Sequence, residues 1–271
     1  MRKRQLWLVG LVCGVLAAVS AGRSQAPAPA EVGAKTWLGR HTEFEAFMRT
    51  AETVGPMEKI PVGVTAPRKV TLAAGGPVPA IAWKPIRPGR YPSGYLESYK
   101  AEIAAYEIDK LLGLDMVPPT VEKRIGGEVG AAIMWVAGVK SFAELGQNIH
   151  APREHAQRWN LQLVRAMMFD NLIGNDDPNL GNWLKDDWWN LILIDHSRAL
   201  TSSRDLYHKM NQVDVALWER MKALDEPQLT TLLQSWLGKS ELRAIVQRRD
   251  RMQQAIDKLV KEKGEAAVLI R

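Results

Sequence analysis

The stretch Asn175-Asp176-Asp177-Pro178-Asn179-Leu180-Gly181-Asn182, followed by Leu191-Ile192-Leu193-Ile194-Asp195, decides how this chain of 271 residues is read. Asn182-Trp183-Leu184 reads as an incoming strand, Lys185-Asp186-Asp187 as a polar turn, and Trp188 to Ile194 as the return strand. A hairpin brings its two ends together, so Asn182 and Asp195 are expected to face each other at its open end. Two facing oxygen ligands suit a hard cation such as Mg²⁺, which takes one or two carboxylates and completes its shell with water and phosphate. Asp177 stands five positions before Asn182. An Asp, then an Asn, then a second Asp after a hairpin are the groups phosphoryl transfer needs. One carboxylate takes the proton of an acceptor hydroxyl, and the other two side chains hold metal. Asp177 is therefore the candidate catalytic residue, and Asn182 and Asp195 are the candidate metal ligands. Turn formation alone is the plainer account of Asp176 to Asn179. It leaves the hairpin and Asp195 unexplained.

The remaining chain supplies a setting for this motif. Thr42-Glu43-Phe44-Glu45 has capping-box form, and Phe44, Phe47, Met48 and Ala51 follow at helical spacing, predicting a first helix to about Val54. Strands are expected over 60–64, 68–73 and 79–83, with Gly75-Gly76-Pro77 turning between the last two. A helix over 98–112 stops at Gly113, and a hairpin over 117–136 turns at Gly126-Gly127. From Ala151 onward the pattern is mostly helical, ending in helices over about 213–223, 226–236 and 240–262. A strand-rich half with one prominent helix thus precedes a helical half. The expected fold class is α+β and two-lobed, with a first lobe over 39–138 and a second over 139–271.

Phosphoryl transfer also asks for a cation on the nucleotide's phosphates and a carboxylate that holds it. Lys84 ends the apolar run Ala80-Ile81-Ala82-Trp83, and Glu102 lies on the helix beside Ala104 and Ala105, which allow close approach to a sheet. These two are the candidate phosphate-positioning pair, with Lys100 and Glu107 as alternatives. Trp135 and Val136 follow the second hairpin, where an adenine would meet an inter-lobe linker, although Trp135 is equally readable as core. The other tryptophans (Trp159, Trp183, Trp188, Trp189, Trp218, Trp236) read as packing residues.

The segments 99–106, 111–119 and 169–200 resemble the atypical protein/lipid kinase superfamily, which includes phosphatidylinositol 3-/4-kinases, HipA-type kinases and secretory-pathway kinases. The pattern is similar to that of uncharacterised bacterial members. It is carried by Phe169-Asp170, Leu172-Ile173, Asn175, Asp177, Asn179, Gly181-Asn182 and Leu193-Ile194-Asp195-His196-Ser197-Arg198-Ala199, and the likeness spans most of 40–260. It implies a two-lobed kinase-like fold, ATP or another nucleotide, and Mg²⁺. The chain departs from the pattern at Pro178, where such proteins carry an Arg after the catalytic Asp; proline also removes an N–H donor. His196, next to the metal Asp, reads as a structural histidine and not as a base.

The first residues carry a different signal. Arg2-Lys3-Arg4, an apolar stretch from Leu6 to about Val19 and the small residues Val19-Ser20-Ala21 have the layout of a secretory signal peptide over 1–21. The apolar stretch falls short of the roughly 20 residues of a spanning helix. Export to the periplasm or beyond is expected, with a Pro/Ala/Gly/Ser-rich linker over 22–38 and no integral membrane span after cleavage. The one cysteine, Cys13, lies in that leader, so disulfide and zinc-thiolate chemistry is excluded from the exported part. The formal charge of +6 includes three leader cations, which leaves a mild balance and no nucleic-acid footprint. The basic run Arg243, Arg248, Arg249, Arg251 reads as a solvated helix face. Two functions are open at this point: an exported phosphotransferase whose acceptor is a protein, lipid or small molecule, and a pseudokinase that binds nucleotide or protein without turnover. Pro178 favours the second. A metal-dependent phosphohydrolase is weaker, since clustered His ligands are missing.

Overall fold

Helix α1 (His41–Thr50) leads into strands β1 (Thr53–Lys59), β2 (Arg68–Leu72) and β3 (Ala80–Lys84). A small antiparallel pair, β4 (Gly89–Arg90) and β5 (Leu96–Glu97), precedes helix α2 (Tyr99–Leu112). β6 (Thr120–Ile125) and β7 (Glu128–Met134) complete a five-stranded antiparallel sheet of order β1-β2-β3-β7-β6. A second, three-stranded sheet is built from β8 (Val139–Ser141), β9 (Trp183–Asp186) and β10 (Leu191–Leu193). Between β8 and β9 run the one-turn helix α3 (Phe142–Leu145) and the long α4 (Arg153–Ile173). The rest is β11 (Val213–Asp214), then helices α5 (Val215–Lys222), α6 (Glu226–Leu233), α7 (Lys239–Lys263) and α8 (Glu265–Val268), then β12 (Leu269–Ile270), parallel to β11. This computed structural model describes residues 35–60, 67–146, 149–177 and 179–271; the expected leader, Cys13, most of the expected linker and Pro178 lie outside them. Among the described residues no helix is long and apolar enough to cross a membrane.

An antiparallel sheet followed by a helical part is the α+β architecture expected from the residue pattern. Local chemistry explains the elements that position the site. Ser98 caps α2 by accepting from Lys100 N at 3.0 Å, and Ala101, Ala104 and Ala105 on the buried face let the helix lie close to the sheet. Gly126 and Gly127 have φ of 57° and 86°, the left-handed pair that a tight β6–β7 hairpin requires.

Some expectations are corrected. Ala51 has already left the helix (φ −57°, ψ 134°), so α1 ends at Thr50 and Val54 lies in β1. The strand expected over 60–64 is not found at Ile60, which follows β1; 61–66 lie outside the described residues. Residues 35–38, expected as linker, are packed: Trp37 is buried, and Lys35 Nζ donates to Asp115 O (2.6 Å) and Leu191 O (2.7 Å). Trp188, expected to pack, is 50% exposed because it sits at the tip of the β9–β10 turn.

Two apolar cores meet at β10. Alternation along a strand sends Leu191 and Leu193 one way and Ile192 the other. Leu191 and Leu193 join the helical core with Phe169, Leu172 and Ile245. Ile192, with Leu184 and Ile194 beside it, joins the sheet core with Ile81, Trp83 and Met134. Each such buried side chain contributes roughly 1.5–3 kcal/mol, so β10 is anchored from both sides.

Arg248 on α7 is the main surprise among the basic residues. It is fully buried and not part of a solvated face. Its guanidinium donates to Leu172 O at 2.8 Å, Thr201 O at 3.3 Å and Ser203 O at 2.5 Å. Gly174, the left-handed C-cap of α4 (φ 65°), lies beneath it, and a Cβ there would meet the guanidinium at 2.9 Å. Arg248 thereby ties α7 to the segments on either side of the 175–195 stretch. Arg248→Ala leaves these carbonyls without their donor and is expected to lower stability by about 3 kcal/mol, read as a shift of the urea unfolding midpoint. Gly174→Ala is expected to destabilise as well, through backbone strain and the clash.

Candidate functional site

The site is assembled around Lys84. β3 pairs with β7 (Lys84 opposite Ala131), so Lys84 leaves the end of a central strand on the face covered by α2. Its Nζ lies 2.8 Å from Glu102 Oε1 and 2.8 Å from Asp195 Oδ1. Lys84 and Glu102 are both almost fully buried. A charge so placed must be paired, because desolvation costs several kcal/mol per ion. Burial opposes the charge on Lys84, and the carboxylates of Asp195 and Glu102 outweigh it, holding the ammonium above the ordinary lysine value. Burial likewise raises Glu102. For Asp195 the charge of Lys84 overcomes burial, and the carboxyl is held below its ordinary value.

Asp195 has a left-handed backbone (φ 63°), a conformation Asp tolerates better than most residues. Its Oδ1 is shared between Lys84 and Ser197 Oγ (3.3 Å), and no hydrogen bond to Oδ2 is made among the described residues. At the open end of the hairpin Trp183 pairs with Leu193, and Ile194 N donates to Asn182 O at 3.0 Å. Asn182 is thus held beside the strand that delivers Asp195, as the residue pattern predicts. Its side chain is buried, and among the described residues its Nδ2 has no hydrogen-bond partner. An amide nitrogen without a partner leaves the side chain free to turn its carbonyl oxygen toward a cation, and Asp195 keeps Oδ2 outside its contacts with Lys84 and Ser197. This donor set fits Mg²⁺ or Mn²⁺ completed by phosphate and water. Among the described residues no group of three or more His, Cys, Asp or Glu forms a cage of its own.

Asp177 is placed by a chain of hydrogen bonds. Asn175 is fixed to Asp170 through its backbone N (2.9 Å) and its Nδ2 (3.0 Å), and its Oδ1 accepts from Asp177 N at 3.3 Å. Asp177 Oδ1 accepts from Asn179 N at 3.0 Å, and Oδ2 lies 3.7 Å from Arg198 Nη1. Asp170 is therefore a buried anchor whose carboxyl is raised by burial. His208 Nε2 adds a 3.0 Å contact to Asn175 O.

Sequence reasoning assigned no supporting role to Asn175, Asp170 and His208, and it named Arg198 in the motif after Asp195 without giving it a role at the site. Asn175 was visible as the first polar residue after the helix-ending Gly174. Arg198 was visible in the motif after Asp195, but its contact with Asp177 comes from the fold.

The alternatives fall elsewhere. Glu107 pairs with Lys110 at 2.9 Å, and Lys100, in the first turn of α2, makes no ion pair among the described residues. Trp135 extends the Lys84 face of the sheet one residue past β7, its N–H donating to Ala80 O at 3.0 Å, with Lys69 Nζ 5.1 Å from its ring. Four residue steps along β3 lead from that end to Lys84, about 13 Å along the strand. Ala82 lies between them and is the one residue of β3 that is not buried. Val136 turns the other way and packs against the sheet core. His196 is buried edge-on against Phe169 (6.0 Å), and its backbone N donates to Glu102 Oε2 at 2.9 Å. It supports the Lys84 pair from behind.

No family model and no curated protein matches the sequence. Solved structures do match. A Golgi casein kinase with Mn and ADP bound aligns with a TM-score of 0.63 and 16% identity, covering 85% of this chain and 78% of that one. A hydra Fam20 with sugar aligns with a TM-score of 0.64 and 18% identity over 83% and 90% of the two chains. The fold is that of an atypical kinase. A Helicobacter pylori proinflammatory kinase, CtkA, matches more loosely, with a TM-score of 0.50 and 12% identity over 81% and 98%. At these identities the kinase-like fold is the shared property.

Burial pushes the His196 imidazole down to about 4. Unfolded, the ring binds a proton below its ordinary value of 6.5, and folded it does not. Its contribution to stability is therefore complete above that value and is lost as pH falls toward 4. Between pH 7 and pH 5 the chain is expected to lose about 2 kcal/mol through this group. His196→Gln should flatten that part of the profile, as measured by urea midpoints at the two pH values.

Proposed function

We propose that the chain is an exported, nucleotide-dependent phosphotransferase, with Lys84 and Glu102 positioning the nucleotide's phosphates and Asp177 serving the acceptor. The observation that carries this reading is the buried Lys84 held 2.8 Å from both Glu102 and Asp195. A surface-type lysine has no reason to be desolvated between two carboxylates, whereas a phosphate-binding lysine has. In use, Lys84 would exchange part of its contact with Asp195 for the α/β-phosphates. Glu102 keeps the ammonium in place, and His196 N keeps Glu102 in place.

The sheet face from Ala82 on β3 to Trp135 just past β7 is suited to a flat base. Asp177, held by Asn175 and Asn179, orients an acceptor hydroxyl and takes its proton. Asn182 and Asp195 would hold a divalent cation, whose chemistry is to neutralise charge on the phosphate oxygens. The Mn and ADP in the Golgi casein kinase structure support a nucleotide and a divalent ion here. Export to the periplasm or outside rests on the N-terminal sequence. The acceptor is a protein, lipid or small molecule bearing a hydroxyl.

A second reading, a nucleotide- or protein-binding module without turnover, is favoured by Pro178 beside the base. Both readings require a nucleotide or partner to bind at the kinase-like cleft, and they diverge at transfer.

The thermal midpoint should rise with millimolar ATP and Mg²⁺, by an amount equivalent to about 2.7 kcal/mol at a hundredfold excess over Kd. Lys84→Ala and Asp195→Ala should abolish the rise. Wild-type protein with no shift from ATP, GTP or ADP would contradict the reading. Turnover lost in Asp177→Asn with the shift preserved would place the protein with active enzymes; turnover absent in both would favour the binding module.

A further inference from the structure

The loop from Asp177 to Asn182 contains no Lys or Arg, and Lys84 is already shared by two carboxylates. The phosphoryl group in transit carries negative charge on three oxygens and needs a cation near the attacking hydroxyl. Among the described residues, the cation in contact with Asp177 is Arg198, which arrives from the loop after Asp195. Its guanidinium stacks 4.0 Å above the Tyr95 ring and lies 3.5 Å from Glu97 Oε1 and 3.7 Å from Asp177 Oδ2. Stacking and two flanking carboxylates fix its plane. Both ion pairs are at or beyond the length of an ordinary hydrogen bond, so the fork of N–H donors is oriented without being saturated. The side chain remains 17% exposed, so it can be reached from solvent.

We propose that Arg198 binds the terminal phosphate of the nucleotide and stays on that phosphoryl group as it moves to the acceptor. This rests on the phosphotransferase reading above. In the step itself the acceptor hydroxyl oxygen forms a new bond to the terminal phosphorus. The bridging P–O bond breaks with its electron pair leaving on the nucleoside diphosphate, and the hydroxyl proton goes to Asp177. Arg198 contributes charge and hydrogen bonds and exchanges no atoms.

The test compares affinities of the full chain for ADP and for a non-hydrolysable ATP analogue, with Mg²⁺, by titration calorimetry. Wild type is expected to prefer the triphosphate. Arg198→Met should weaken the triphosphate by about tenfold, the loss of a charge-assisted contact, and leave ADP unchanged. Arg198→Lys should restore part of the preference, and it also serves if the Met variant does not fold. A merely structural role would move both nucleotides together or only the unfolding midpoint. Unchanged discrimination in both variants, with wild type binding normally, overturns the proposal for Arg198 while leaving the nucleotide site standing. Wild type that binds neither nucleotide overturns the reading of the site, and the assignment of Arg198 with it.

Discussion

A lysine ammonium removed from water must be paired, and here that demand organises the cleft. Lys84 is delivered by a central strand, Glu102 by the helix packed on that sheet, and Asp195 by the hairpin that follows the polar loop. Parting the strand from the helix would leave a charge buried without its fully buried opposite. The penalty for that is of the order of several kcal/mol. His196 extends the constraint by giving its backbone N–H to the second oxygen of Glu102. The cluster therefore reports the relative position of the sheet, α2 and the hairpin, as well as offering a cation to a ligand.

Much of this was legible in the residues because the signals are local. Lys84 stands at the end of an apolar strand run, Glu102 beside alanines on a helix, and Asn182 and Asp195 at the two ends of one hairpin. Short-range periodicity and turn chemistry carry such features. What was not legible depends on contacts between distant parts of the chain. Arg248 was indistinguishable from its solvated neighbours Arg249 and Arg251, because its burial is decided by carbonyls at Leu172, Thr201 and Ser203. Arg198 meets Tyr95, Glu97 and Asp177 only after the fold has formed. The docking of Trp37 and Lys35 was hidden by a proline-rich, linker-like composition just before them.

The acidic loop illustrates the same division. Asp170, Asp176 and Asp177 look alike in the sequence. Folding separates them into a buried anchor, a half-buried carboxyl raised by burial, and the acid whose second oxygen lies 3.7 Å from Arg198. Environment, and not residue type, distributes the roles.

The double anchorage of β10 has a consequence for how the chain comes apart. With Leu191 and Leu193 in one core and Ile192 in the other, neither core is complete without the same three residues. From Lys35 onward the described residues accordingly form a single compact unit. Melting the helical part strips Ile192 from the sheet, and melting the sheet exposes the strand that fills the helical part. Unfolding is thereby made cooperative across the cleft, and a partly denatured form that keeps only one lobe has no stable surface to end on.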